Sequence, residues 1–375
     1  MSADAGPRPW SLREACARDD AALRALAAAC PMQGDLTLCV TREPSFFTLS
    51  RLEGERAWIA VAEADGALVG CVMLSERRVW WQGAPQRILY AGDLKVHPGW
   101  RGRGVGEALV DWVVRRGAVV AGPDAPMLLT VLAGNQAMHR RLFAATRTTE
   151  LPPLARLRSC SIPLLWPRRV PDAGGLRVRT AVMSDLDEML ALWSRVAPSR
   201  QCAAVLGEAA FRDWLDHAPG LSLSDYQVAV APDGRLKGFL AWWDQSSFKQ
   251  LQVQRYSPRL RVARHAINAV ATLTGAARLP RAHEALRHRT AVHVCVPAED
   301  PAVLRALLLT AFDAPRRDGC AFVNVGLDVR DPLCAALHGL FAQPTDIDAF
   351  LVTPRGAWPG ALPTERPLHY EIALV

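Results

Sequence analysis

Leu94-Lys95-Val96-His97-Pro98-Gly99-Trp100-Arg101-Gly102-Arg103-Gly104-Val105-Gly106 joins the apolar end of a strand to a glycine-rich turn that opens directly into an amphipathic helix. Glycines let a backbone approach a ligand with no side chain between them, and the first turn of a helix presents unpaired N–H groups at its positive end. The stretch reads as an anion cradle suited to a pyrophosphate. In the helix that follows, Val105, Ala108, Leu109, Trp112 and Val113 fall on one face, Arg115 and Arg116 occupy the last turn, and Gly117 reads as the stop.

The cradle belongs to a chain of 375 residues, half of them apolar, which is enough for two domains because one core rarely outgrows roughly 250 residues. No run of about 18 apolar residues free of charge occurs, and Met1–Pro9 lacks the apolar stretch of a signal peptide. A cytoplasmic protein with no membrane span is the expectation. Nine cysteines lie far apart with no Cys-x-x-Cys pair, which suits buried free thiols in a reducing compartment and predicts no metal site. A net charge of +7 and a pI near 9.1 admit nucleic acid, an acidic small molecule or a basic surface. The arginines are scattered and no aromatic-interleaved basic stripe occurs, so no nucleic-acid partner is expected.

Trp166 to Gly175, rich in Pro, Gly and charge, reads as a linker between residues 1–165 and 176–375. The two parts repeat one order. Trp10–Ala15 and Leu176–Ala181 each read as a strand, followed by a helix carrying Leu23, Leu26 and Ala27 or Leu186, Met189, Leu190 and Trp193. Strand-turn-strand units follow at Ala57–Leu74 through Asp65-Gly66 and at Tyr226–Trp243 through Asp233-Gly234. In the first part a hairpin from Arg77–Trp81 to Arg87–Val96 leads into the cradle, and a strand at Met127–Val131 and a helix from about Asn135 to Phe143 come after it. In the second part the strand Ala291–Val296 runs instead into Pro297-Ala298-Glu299-Asp300-Pro301, where prolines remove donors and carboxylates repel anions, so no second pyrophosphate site is expected. Cys320–Val329 reads as a strand, Leu333, Leu337 and Leu340 as a helix, and Phe350–Val352 and His369–Leu374 as late strands. The basic amphipathic segment Arg259–Leu273 reads as a cover over a groove between the domains or as a membrane-surface helix.

This element order, with Val96-x-Pro98-x-x-Arg101-Gly102-x-Gly104-x-Gly106, resembles the GCN5-related N-acetyltransferase (GNAT) superfamily, in a tandem arrangement with a degenerate C-terminal copy. The resemblance implies an α/β (α+β) fold of two GNAT-like domains, each a mixed, mostly antiparallel central sheet flanked by helices. It implies acetyl-CoA as co-substrate, with the backbone of Leu94, Lys95 and Val96 along the pantetheine arm. Arg101, Gly102, Arg103, Gly104, Val105 and Gly106 would hold the pyrophosphate, and Asn135 would face the pantetheine or cap its helix. Direct transfer of an acetyl group to an amine on a small molecule is the implied activity. A non-catalytic acyl-CoA sensor, or a longer-chain acyl-CoA transferase or decarboxylase, are the alternatives.

Amine acylation needs a neutral amine, a positioned thioester, a donor for the oxyanion and a proton for the thiolate. Asp93, just before the pantetheine strand, is the candidate carboxylate; otherwise it bridges a neighbouring arginine. Tyr90 would share the direction of Leu94 and Val96 on a regular strand, as the candidate acid or as a core tyrosine. The family's tyrosine on the last helix is missing, because Asn135 is followed by Met138, Leu142 and Phe143. His97 and His139 read as surface or helix-lining residues, and Arg103, Arg140 and Arg141 as solvated or nucleotide-facing. Acceptor recognition in the family comes from the first two helices and their loop, here Asp35, Arg42, Glu43, Phe46 and Phe47, unless the phenylalanines pack in the core.

Overall fold

The computed structural model describes residues 8–32, 36–146, 151–168 and 175–374, leaving aside the side chains of 143–146 and 311. In the first part, β1 (Ser11–Glu14), α1 (Asp20–Ala28), β2 (Leu36–Thr41), α2 (Phe47–Leu52), β3 (Arg56–Ala64), β4 (Ala67–Trp81), β5 (Ala84–Val96), α3 (Val105–Ala121), β6 (Met127–Leu132), α4 (Gln136–Thr146) and β7 (Ala155–Pro163) follow one another. The second part runs β8 (Arg177–Thr180), α5 (Leu186–Val196), α6 (Glu208–His217), β9 (Tyr226–Val230), β10 (Leu236–Trp243), β11 (Gln250–Tyr256), α7 (Pro258–Thr274), β12 (His288–Cys295), α8 (Pro301–Leu309), β13 (Phe322–Asp328) and β14 (Gln343–Thr353). The fold is mixed α/β, a large and mostly antiparallel sheet flanked by helices.

One sheet spans both parts in the order β1-β3-β4-β5-β6-β14-β7-β13-β12-β10-β9-β8. The last strand of each part lies among the strands of the other: β14 pairs with β6, β7 with β13, and β14 with β7 at the centre. β2 and β11 form a separate two-stranded sheet, again one strand from each part.

Details recur as well as order. Arg13 grips Asp19 through both guanidinium nitrogens while the Cys16 N–H donates to the same carboxylate, and Arg179, Asp185 and Val182 repeat the arrangement. Gly70 and Gly238 each sit where a Cβ would strike a valine at the start of a helix, Val105 at 2.9 Å and Val303 at 2.9 Å. β5 and β12 each carry one residue with positive φ, Asp93 (56°) and His293 (50°), where the ladder to β4 or to β10 slips register.

Three sequence expectations are corrected. α3 continues through Gly117 and ends at Gly122, whose φ of 93° suits a helix stop. Gly117 is small because a Cβ there would lie 3.1 Å from Leu89 and 3.3 Å from Pro354. Pro332–Leu337 is a 3-10 turn rather than an α-helix. His369–Leu374 is not a strand but a crossing segment that ends in a 3-10 turn, bridged to the sheet rim by Gln201 and Leu368.

Candidate functional site

β5 and β6 run parallel and pair only through residues 89–91 and 127–129. Beyond Ala91 the strands part. The bulge at Asp93 turns the end of β5, so its pairing with β4 resumes at Lys95–Cys71 and Val96–Gly70 while its other edge faces the gap. Directly past this edge stands the cradle. Gly102 and Gly104 have φ of 77° and 76°, and Gly104 is the residue from which α3 springs. A Cβ on Gly102 would meet nothing, so the glycine serves its backbone conformation and open access. Val105 is buried and anchors the helix; the Trp10 indole N–H donates to the Arg103 carbonyl at 3.1 Å. The N–H groups at the start of α3 lack helical acceptors, the condition in which a helix N-terminus takes an anion. Arg141 of α4 reaches across Gly106, where a Cβ would lie 1.9 Å from its Nη1.

A cavity of about 630 Å³ passes through the gap and is lined from both faces of the sheet. Val110, Val113 and Val114 of α3, Met127 and Leu129 of β6, and Met138 and Leu142 of α4 line one side; Ala27, Cys30, Met32, Val40, Arg42 and Glu53 line the other. The second part contributes Ile347, Val352, Thr353 and Leu374. A smaller cavity of about 220 Å³ lies between the parts, lined by Trp214, His293, His369 and Glu371, and shares Glu53 and Leu374 with the first.

Asp93 lies at the heart of the gap with both oxygens taken. Arg42 Nη1 and Nη2 donate to them at 2.5 and 2.7 Å, and Lys95 Nζ donates at 2.5 Å. Burial pushes this carboxyl up, but the Arg42 and Lys95 cations outweigh it and hold the group well below the usual carboxylate range. It is a fixed anion, and a group so held is not a base poised for neutral pH. Lys249, on the loop before β11, is half-buried close by; desolvation, helped by Arg42 and opposed by Asp93, brings its ammonium down to about 7. Its Nζ donates to the Ala373 carbonyl at 2.8 Å.

Tyr90 is buried on the α1 side of the sheet, its hydroxyl 2.9 Å from Thr130 Oγ1 and its ring beneath the Arg77 guanidinium at 4.0 Å. It does not share a face with Val96, which packs with α3, because the bulge at Asp93 inverts the alternation of β5. Both Tyr90 and Thr130 line the cavity. Asn135 is exposed, accepts from the Met138 N–H at 3.1 Å as a cap of α4, and also lines the cavity. Leu94 and Lys95 line it too, whereas Arg101 and Arg103 lie outside, with Arg103 over the Trp100 ring.

Of the acceptor candidates, Arg42 is in the wall but engaged with Asp93. Glu43 is exposed and pairs with Arg24. Phe46 is fully buried and Phe47 meets it edge-on, and the apolar lining on this side of the cavity comes from Ala27, Cys30, Met32 and Val40. Asp35 lies outside the described residues. Sequence reasoning missed Glu53 and Lys249: Glu53 ends α2 and pairs with Arg77, and neither carries a local motif. The nine cysteines are all free thiols. Among the described residues no cluster of three or more His, Cys, Asp or Glu is arranged to hold a metal, and no helix is long and apolar enough to cross a membrane.

Residues 21–142, which contain the splayed strands and the cradle, match the Acetyltransferase (GNAT) family, and this part of the chain is a GNAT-family domain. The fold of the whole chain is similar to that of a GCN5-related N-acetyltransferase from Sphaerobacter thermophilus, at 18% identity and a TM-score of 0.58 over 94% of this chain and 98% of that one. It is also similar to Saccharomyces cerevisiae N-myristoyltransferase with bound myristoyl-CoA, at 12% identity and a TM-score of 0.60 over 92% of this chain and 79% of that one. No curated protein matches the chain in sequence.

Proposed function

We propose that the chain is an acyltransferase that moves an acetyl group from acetyl-CoA directly to an amine on a small molecule. One observation carries this reading: the cradle Gly102–Gly106 follows directly on the unpaired edge of β5, whose Asp93, Leu94 and Lys95 line a cavity reached from both faces of the sheet. A CoA thioester bound along that line supplies an activated acyl carbonyl. The cradle N–H groups and Arg141 would hold its pyrophosphate, and the free edge of Leu94–Val96 its pantetheine arm. On the far side, Arg42 and Lys95 both pair with the single Asp93 anion, leaving an excess of positive charge with Lys249 nearby. An amine among them gives up its proton more readily and attacks in its neutral form. Lys249, near 7, is the group of this cluster able to take that proton at neutral pH. The Tyr90–Thr130 hydroxyl pair at the gap would return one to the departing thiolate.

Residues 1–165 and 176–375 are, in this reading, two copies of one fold joined by 166–175. The second lacks a cradle, having Pro297 and Pro301 with Glu299 and Asp300 in its place. It keeps the acceptor chamber closed through β14 and the 368–374 segment. A longer acyl group is a second reading, favoured by the apolar wall of Val110, Val113, Val114, Met127, Leu129 and Leu142. Calorimetric titration with acetyl-CoA and octanoyl-CoA tests both. Binding is expected for the wild type and not for Gly104→Val, whose φ of 76° a valine resists; no binding of either thioester by the wild type would sink the proposal.

A further inference from the structure

The positive charge of this chain has a single source. From Gln245 to His283 there are seven Lys and Arg and no Asp or Glu; removing them from the 44 Lys and Arg of the chain leaves 37, equal to its 37 Asp and Glu. The net charge of +7 is therefore that of one segment. Lys249 donates to the Ala373 carbonyl and Arg264 turns inward to the Pro280 carbonyl, both at 2.8 Å. Arg255, Arg259, Arg261, Arg278 and Arg281 remain exposed, and among the described residues none of the five forms an ion pair.

α7, in the middle of this segment, is amphipathic in the unusual sense. Its inner face is pinned by polar side chains: Arg264 as above, and Asn268, which donates to the Leu279 carbonyl at 3.2 Å and accepts from the Leu279 N–H at 2.8 Å. Ala271 is its one buried residue. Its outer face is apolar, with Val262 74%, Val270 44% and Leu273 88% exposed, and Ala266 and Ala269 between them on the same helical stripe. Arg259 stands at the N-terminal end of the stripe, and Arg261 and His265 border it along one side.

We infer that α7 and the return loop after it dock on an anionic bilayer, the apolar stripe entering the headgroup boundary and the arginines meeting lipid phosphates. An apolar stripe flanked by cations is what such an interface recognises. A second copy docked through the same face would bring together two basic segments that carry no Asp or Glu to pair their arginines, and a nucleic-acid backbone would have no use for the stripe. The inference does not depend on acyl transfer. It adds that the rim of the acceptor chamber would sit near the bilayer, since β11 leads straight into α7 and Gln250 hydrogen-bonds Thr41 and the Glu43 backbone.

Flotation of the full chain with vesicles decides the matter, using phosphatidylcholine alone and a mixture of phosphatidylcholine with phosphatidylglycerol. Binding is expected to the mixture only, weakening as salt rises. Val262→Asp with Leu273→Asp should abolish it at unchanged melting temperature, and Arg259→Gln with Arg261→Gln should weaken it about 25-fold, at about fivefold per arginine. Wild-type protein that fails to float with the anionic vesicles at low salt overturns the inference, as does a Val262→Asp/Leu273→Asp variant that floats as well as wild type. So does a dimer in sedimentation that this variant dissolves while no vesicle binding is seen, or duplex DNA binding that the variant retains in place of vesicle binding.

Discussion

The Arg42–Asp93 pair offers the sharpest test of the site, because burial makes its energetics large. The Arg42 side chain is 4% and that of Asp93 11% exposed, and they share two hydrogen bonds with Lys95 as a third partner. Removing one member of a buried pair costs about 3–5 kcal/mol because the survivor stays desolvated. Arg42→Met should fall near the lower end, about 3 kcal/mol, since Asp93 keeps Lys95. Asp93→Asn should fall near the upper end, about 5 kcal/mol, because it leaves Arg42 and Lys95 as unneutralised cations with Lys249 close by. The double variant removes the conflict in both, so its cost should lie about 3 kcal/mol below the sum of the singles. Urea unfolding at neutral pH measures all four species. Costs that add within about 0.5 kcal/mol would refute the geometry. The pH dependence follows from the sign of the shift. The folded Asp93 carboxyl lies below its unfolded value of about 3.9, so its contribution is complete above that pH and is lost as pH falls below it. Asp93→Asn should remove that part of the acid slope.

Further outcomes follow from other parts of the molecule. In the acyl-transfer assay, the acidic limb of the wild-type rate profile should turn near pH 7, where Lys249 gains its proton, and Lys249→Met should abolish that turn while leaving CoA affinity intact. Val114→Trp should fill the apolar side of the cavity and shorten the longest acyl chain bound in calorimetry, with acetyl-CoA affinity nearly unchanged. Thiol reagents should modify Cys16, which is exposed, at once, and spare Cys71 and Cys202 until the chain unfolds, since burial pushes both thiols up to about 12.

What was legible in the sequence is what depends on neighbours in the chain. The cradle, the Asp65-Gly66 and Asp233-Gly234 turns and the helices carrying periodic apolar positions are local, and their residue types follow from backbone conformation. The Arg42–Asp93 pair joins residues 51 positions apart, and a lone arginine in a loop gives no sign of its partner. The bulge at Asp93 carries no glycine to announce its positive φ, so parity arguments along β5 went astray and placed Tyr90 on the wrong face. Gly117 looked like a stop because glycine often is one, whereas here it makes room for Leu89 and Pro354. The basic amphipathic segment Arg259–Leu273 is legible from its own residues, and the acids missing from Gln245 to His283 mark how far its charge extends.

The lodging of β7 and β14 in each other's territory has a consequence for synthesis and for dissection of the protein. When residues 1–165 have left the ribosome, the slot beside β6 has no occupant, and the cavity lacks Val352 and Thr353 from its wall. Productive closure of the first half waits for a segment made some two hundred residues later, which raises contact order and leaves an open sheet edge in the interval. Cutting the chain between residues 165 and 176 would therefore not release two self-sufficient halves. It would yield two fragments, each missing a strand that only the other can supply, and function would return when they are mixed.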